Sequence, residues 1–134
     1  MAKPLFATSL NLKPNSVIRV VLDPLPQANR FTIDLGVGGP DIALHFNPRF
    51  SYYDYNTIVC ATYVDGSFGN GFKERHFPFQ RGKRTQIFIE FEESLFRITL
   101  PDGYQFTYRN YSGAKVINYV GVHGDMVLKT LAFQ

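Results

Sequence analysis

Short apolar runs, each closed by a turn signal, recur along the whole chain, and this rhythm constrains the fold more than any other feature. The run at 10–12 stops at Lys13-Pro14-Asn15, the run at 17–22 at Asp23-Pro24-Leu25-Pro26, and the run at 31–35 in the glycine-rich stretch 36–40. Further runs fill 42–50, 57–63, 86–91, 95–100, 104–108, 116–122 and 126–133. Asp65-Gly66 and Gly69-Asn70-Gly71 punctuate a loop after residue 63. Leu100-Pro101-Asp102-Gly103-Tyr104 is a strong turn, because proline presets φ and glycine supplies φ > 0. No segment carries a helical apolar period with caps. The spacing predicts an all-β sandwich of about ten or eleven strands. Hydrophobic residues make up 45% of the chain, and the many Phe and Tyr side chains favour strands. With 134 residues and no linker, repeat or low-complexity tract, residues 1–134 are expected to form a single domain.

Within that pattern, one strand is unusual. His45-Phe46-Asn47-Pro48-Arg49-Phe50, read with period-two alternation, puts His45, Asn47 and Arg49 on one face and Leu44, Phe46 and Phe50 on the other. One face is oil; the other is a row of imidazole, carboxamide and guanidinium. A plain solvated face usually carries Lys, Glu, Thr and Ser. Planar donors and acceptors in succession suit a ligand made of hydroxyls.

Other chemistries find little support. The net charge is +3, and Arg81-Gly82-Lys83-Arg84 is too short to track a phosphate backbone, so it reads as a basic turn and nucleic acid is not an expected partner. There is no Gly-rich phosphate loop, no His/Cys cluster at metal spacing and no nucleophile elbow, which predicts no metal, no cofactor and no catalytic residue. Glu90 and Glu92 share a strand face and could suggest a glycosidase pair. They flank an aromatic strand with Lys and Arg nearby, as a solvated face does. Cys60 is the only cysteine, so no internal disulfide forms, and synthesis in a reducing compartment is expected. The start of the chain lacks the apolar run of a signal peptide, and no segment approaches the ~20 apolar residues of a membrane helix. Residues 126–133 are apolar on both parities, which calls for cover on both faces, from the sandwich itself or from a partner subunit.

The segment His45 to Phe50, with Asn56-Thr57-Ile58-Val59-Cys60, Phe77-Pro78-Phe79-Gln80 and Leu100-Pro101-Asp102-Gly103, resembles the galectins. Leu10-Asn11-Leu12-Lys13-Pro14, Ile117-Asn118-Tyr119 and Gly124-Asp125 extend the likeness in order over essentially the whole chain. The resemblance implies a jelly-roll sandwich of two antiparallel sheets. On its concave face it implies a metal-free site for a β-galactoside such as lactose. His45, Asn47 and Arg49 match the family's H-x-N-x-R strand, and Asp54 its loop acid, which usually helps orient an arginine.

The second half of the motif departs. Where galectins carry W-G-x-E-x-R, this chain has Phe68-Gly69-Asn70-Gly71-Phe72-Lys73, and Ala61 stands where they place an Asn. Phe68 can stack a sugar with less area than indole. Lys73 keeps the charge without the planar fork. Without a carboxylate at Gly71, Arg49 is expected to be less firmly oriented. Alternation turns Glu74 away from the Lys73 face, so it is a poor substitute unless a bulge intervenes. At ~1 kcal/mol for each lost contact, lactose affinity falls by about two orders of magnitude. The expected carbohydrate-binding residues are therefore His45, Asn47, Arg49, Asp54, Phe68 and Lys73. The alternative is a galectin-related protein that has lost lactose and acts through protein contacts or as a structural component. The resemblance also implies a homodimer paired through its terminal strands, no membrane insertion, and cytoplasmic synthesis with a non-classical route of export.

Overall fold

The computed structural model describes residues 3–134, all in strands, turns and loops. Eleven strands form: β1 Leu5–Ala7, β2 Ser16–Pro24, β3 Phe31–Gly38, β4 Asp41–Tyr52, β5 Asp54–Val64, β6 Ser67–Glu74, β7 Thr85–Phe91, β8 Leu95–Thr99, β9 Gln105–Arg109, β10 Tyr119–Gly124 and β11 Met126–Phe133. They build a six-stranded sheet in the order β1-β10-β3-β4-β5-β6 and a five-stranded sheet in the order β11-β2-β7-β8-β9. Every pairing is antiparallel. Among the described residues, no helix is long and apolar enough to cross a membrane.

Alternation produces the sandwich. β7 reads Thr-Gln-Ile-Phe-Ile-Glu-Phe, with every second side chain buried. In β4, Leu44, Phe46 and Phe50 point into the core, where they meet Ile18, Leu22 and Ile89 of the facing sheet. Cys60 is fully buried among these residues, and burial pushes its thiol pKa up, so it is an inert core side chain.

Three local readings of the sequence need correction. Residues 10–12 form no strand; Leu12 makes only an isolated bridge to Ile117, and the edge strand is instead β1. Residues 67–74, read as a loop, form β6, an edge strand. Seven of its eight residues are exposed, so it shows no alternation of burial to announce it. The turn before it is a two-residue hairpin with Asp65 and Gly66 at φ 53° and 83°, the left-handed conformation that matches strand twist. The two-sided apolar pattern of β11 also has a local cause. A bulge between Leu128 and Thr130 switches the parity, so Leu128 and Leu131 both pack on the core.

Where β10 turns into β11, Gly124 sits at φ 109°, and a Cβ there would lie 2.7 Å from Phe31 Cα and 2.9 Å from Arg30 O. Gly124→Ala is therefore expected to destabilise the fold by about 2–3 kcal/mol, read as a shifted urea midpoint with an unchanged slope. A midpoint equal to that of the parent protein would contradict the packing described.

Candidate functional site

The outer face of the six-stranded sheet carries the polar half of β4. Register places Asp34 of β3 opposite His45, and His45 opposite Ala61 of β5. Asn47 lies opposite Val59, and Val59 opposite Lys73 of β6. Arg49 pairs with Thr57 on one side and bridges Arg30 on the other. His45, Asn47 and Arg49 thus stand in a row and line one groove of about 400 Å³.

Each head is held by the protein and still offers something to the groove. His45 Nδ1 lies 2.7 Å from Asp34 Oδ1. A carboxylate only accepts, so Nδ1 carries the hydrogen, and in the neutral ring Nε2 is left as an acceptor. Asn47 is 1% exposed; its amide nitrogen donates to Phe31 O at 2.8 Å and Thr32 Oγ1 at 3.2 Å. Its Oδ1 accepts from Arg49 Nε at 2.8 Å and retains a second lone pair. Arg49 Nη1 donates to Asp54 Oδ2 at 3.3 Å and to Tyr52 O at 3.4 Å. Its Nη2 meets no acceptor among the described residues.

The arginine is better fixed than the sequence suggests. A glycine at 71 was expected to leave it loose. Asp54 takes over the orienting role, holding Arg49 through Oδ2 and the Lys73 ammonium through Oδ1 at 3.0 Å. The hydrogen bond from Lys73, with the charges of Arg49 and Arg75, outweighs desolvation and holds the Asp54 carboxyl below the usual carboxylate range.

Phe68 comes to the same face by way of a bulge. Cys60 pairs with Phe72 and Thr62 with Gly69, so Asn70 and Gly71 together oppose Ala61. The extra residue shifts the parity of β6, and Phe68, which simple alternation from Lys73 would turn inward, faces outward. Its ring is 57% exposed and lies 4.9 Å from His45 and 4.8 Å from Tyr63, centre to centre. Glu74 stays off this face, as alternation predicts: it accepts from Tyr104 Oη at 3.1 Å and His76 N at 2.9 Å. Of the six expected residues, His45, Asn47, Arg49 and Phe68 line the groove; Asp54 joins them through Arg49, and Lys73 through Asp54. Glu92 is tied to Arg97 at 2.9 Å on the other sheet, away from it.

Asp34 and His123 were not read as site residues. Asp34 is 6% exposed, and it bonds His45 through one oxygen and His123 Nε2 at 3.0 Å through the other. Burial opposes its ionisation, but the two imidazoles outweigh it and hold the carboxyl below the usual range. The signal in the sequence was a carboxylate in the middle of the apolar run Phe31-Thr32-Ile33-Asp34-Leu35. A lowered native pKa means that this stability is present above about pH 4 and is lost as pH falls through the lowered value. Asp34→Asn is expected to lower stability by about 1–3 kcal/mol at pH 7. The gap between parent and variant should then close toward pH 3 in urea titrations. A gap unchanged between the two pH values would contradict this.

The arrangement presents an acceptor at His45, a lone pair at Asn47, a donor fork at Arg49, an ammonium at Lys73 and a flat apolar ring at Phe68. Such a set can bond hydroxyls that donate and accept at once while a ring face covers their apolar side.

Comparison with known proteins agrees with this geometry. The chain is 41% identical to galectin-1 of Mus musculus, with all of both chains covered. It is 33% identical to the 16 kDa beta-galactoside-binding lectin of Gallus gallus, over 99% of each chain. Its fold matches an ancestral congerin with TM-score 0.93 at 33% identity, covering 97% of this chain and 99% of that one. It matches CG-16, a homodimeric agglutinin from chicken liver, with TM-score 0.93 at 32% identity, covering 98% and 100%. The family model of the galactoside-binding lectins spans residues 5–133, and the chain belongs to that family, the galectins.

Proposed function

We propose that residues 1–134 act as a single carbohydrate-recognition domain that binds β-galactosides without catalysis, metal or cofactor, in the groove of the six-stranded sheet. One observation carries the reading: three polar heads with no sheet ladder to complete converge on an open groove beside an exposed aromatic face. His45, Asn47 and Arg49 bond the sugar hydroxyls, and Phe68 covers the apolar face of the ring. Asp54 and Lys73 hold the far end. The curated relative from Gallus gallus is named for β-galactoside binding, which supports the same assignment.

Affinity for lactose is weak. Gly71 supplies no carboxylate, Ala61 no amide, and Phe68 less stacking area than an indole. Pairing compensates. The edge strands β1 and β11 present Leu5, Phe6, Val127 and Phe133 as exposed apolar side chains. A homodimer joined there carries two sites and gains avidity on multivalent glycans. The neighbour from chicken liver, described as homodimeric, supports this assembly. Cytoplasmic synthesis followed by non-classical export fits a lectin of this kind.

The same three losses favour a second reading, a family member that no longer binds lactose and acts through protein contacts. Calorimetric titration with lactose separates the two. The lectin reading expects saturable heat with a Kd in the range of about 1–10 mM and retention on a galactoside resin eluted by lactose. No heat and no retention would leave the protein-contact reading standing.

A further inference from the structure

A separate hollow adjoins the groove over β5 and β6. It holds about 330 Å³ and shares His45, Arg49 and Phe68 with the groove. The rest of its lining is Val59, Ala61, Gly69 and Gly71, none of which carries a polar side chain. Register explains its position. Val59 lies between Asn47 and Lys73, and Ala61 between His45 and the bulge formed by Asn70 and Gly71. The hollow therefore lies between the polar row of β4 and the edge strand β6. A Cβ at Gly69 or Gly71 would meet nothing within 4 Å, so the space above both is open.

This is where the chain departs from the galectin pattern, with Ala61 in place of an amide and Gly71 in place of a carboxylate. Counted singly, the departures remove polar contacts. Together they also create an apolar floor. A galactose on the three heads, with its apolar face on Phe68, sends the group that follows it over this floor toward Lys73. A second sugar there gives up water from its hydroxyls and recovers hydrogen bonds only at the edge, from Arg49 and Lys73. An apolar ring has no such loss. It covers Val59, Ala61 and the glycine backbone, meets the exposed Phe68 ring, and comes within reach of the Arg49 guanidinium. An apolar cavity of about 150 Å³ already admits a benzene ring.

We propose that the hollow takes the aglycone, and that this protein prefers galactose joined directly to a flat apolar group, an aryl β-galactoside, over galactose joined to a second sugar. Val59, Ala61 and Phe68 form the contact surface, and Gly71 keeps it open. The inference rests on the sugar-binding reading given above.

The test is titration calorimetry of the full chain with methyl β-galactoside, phenyl β-galactoside, lactose, and phenyl β-glucoside as an aglycone-only control. The phenyl galactoside is expected to bind about tenfold more tightly than the methyl galactoside, and more tightly than lactose. Gly71→Glu should invert the order: lactose affinity rises, and the phenyl galactoside falls to within about twofold of the methyl galactoside. Ala61→Asn, which sets an amide in the floor, should remove most of the phenyl gain as well, so the test does not hang on one variant. Urea midpoints close to the parent's establish that the variants are folded. Equal binding of the methyl and phenyl galactosides, lactose bound more tightly than the phenyl galactoside, a phenyl gain that survives both substitutions, or phenyl β-glucoside bound as tightly as its galactoside each overturns the proposal and leaves the lectin reading intact. Silence toward every galactoside overturns both.

Discussion

Asn47→Ala is expected to abolish saturable lactose binding and, in the same protein, to lower stability by about 2–3 kcal/mol. Both effects follow from its position. Asn47 is almost fully buried and bonds Phe31 O, Thr32 Oγ1 and Arg49 Nε, so it joins β3 to β4 and sets the arginine at once. Truncation leaves a buried carbonyl and hydroxyl unpaired and lets the Arg49 head turn away from the groove. Arg49→Ala separates the two consequences. Arg49 is part-exposed, its carboxylate partner Asp54 keeps Lys73, and the Asn47 Oδ1 that it releases faces the groove, where water can replace the guanidinium. The arginine variant should therefore lose lactose as completely while its urea midpoint shifts by less than about 1 kcal/mol. An Asn47→Ala protein of parental stability, or one that still binds lactose normally, would contradict the arrangement.

The largest gain is expected from rebuilding β6. The triple substitution Phe68→Trp, Gly71→Glu and Lys73→Arg should raise lactose affinity by about two orders of magnitude, at roughly 1 kcal/mol for each restored contact. The backbone can accept the change. A Cβ at Gly71 meets nothing within 4 Å, and Phe68 already lies exposed against His45. Arginine at 73 can reach Asp54, where the lysine ammonium sits at 3.0 Å, and can do so with two N–H groups. The contribution of each position is measured by calorimetry on the single and triple variants. Gly71→Glu alone should give at least a few-fold increase, because it adds an acceptor beside Arg49. An affinity unchanged in the triple variant would mean that the altered half of the motif does not limit binding.

These expectations come from residues whose readability in the sequence differs. The polar row of β4 was legible because a period of two is the strongest signal a strand gives, and the core face of the same strand is entirely apolar. Phe68 was assigned to the site only through family resemblance. Its actual facing depends on the bulge opposite Ala61, a two-for-one mismatch that alternation cannot reveal. For the same reason β11 looked apolar on both faces until its own bulge accounted for the pattern. β6 was missed because an exposed edge strand buries nothing and so has no hydrophobic period. Asp34 was passed over, although it stands as a charge in an apolar run. Its two histidine partners come from β4 and from β10, which is 89 residues away in sequence for the His123 contact. Only strand order brings them together.

The central claim is that imidazole, carboxamide and guanidinium of one strand meet a galactoside together. Two-dimensional ¹H–¹⁵N NMR of the chain titrated with lactose tests it most directly. The account predicts concentration-dependent shifts at His45, Asn47, Arg49 and Phe68 and in the flanking stretches of β3, β5 and β6, with β7, β8 and β9 unmoved. Shifts confined to the five-stranded sheet, or a spectrum that lactose leaves unchanged while another ligand moves the β4 face, would contradict it.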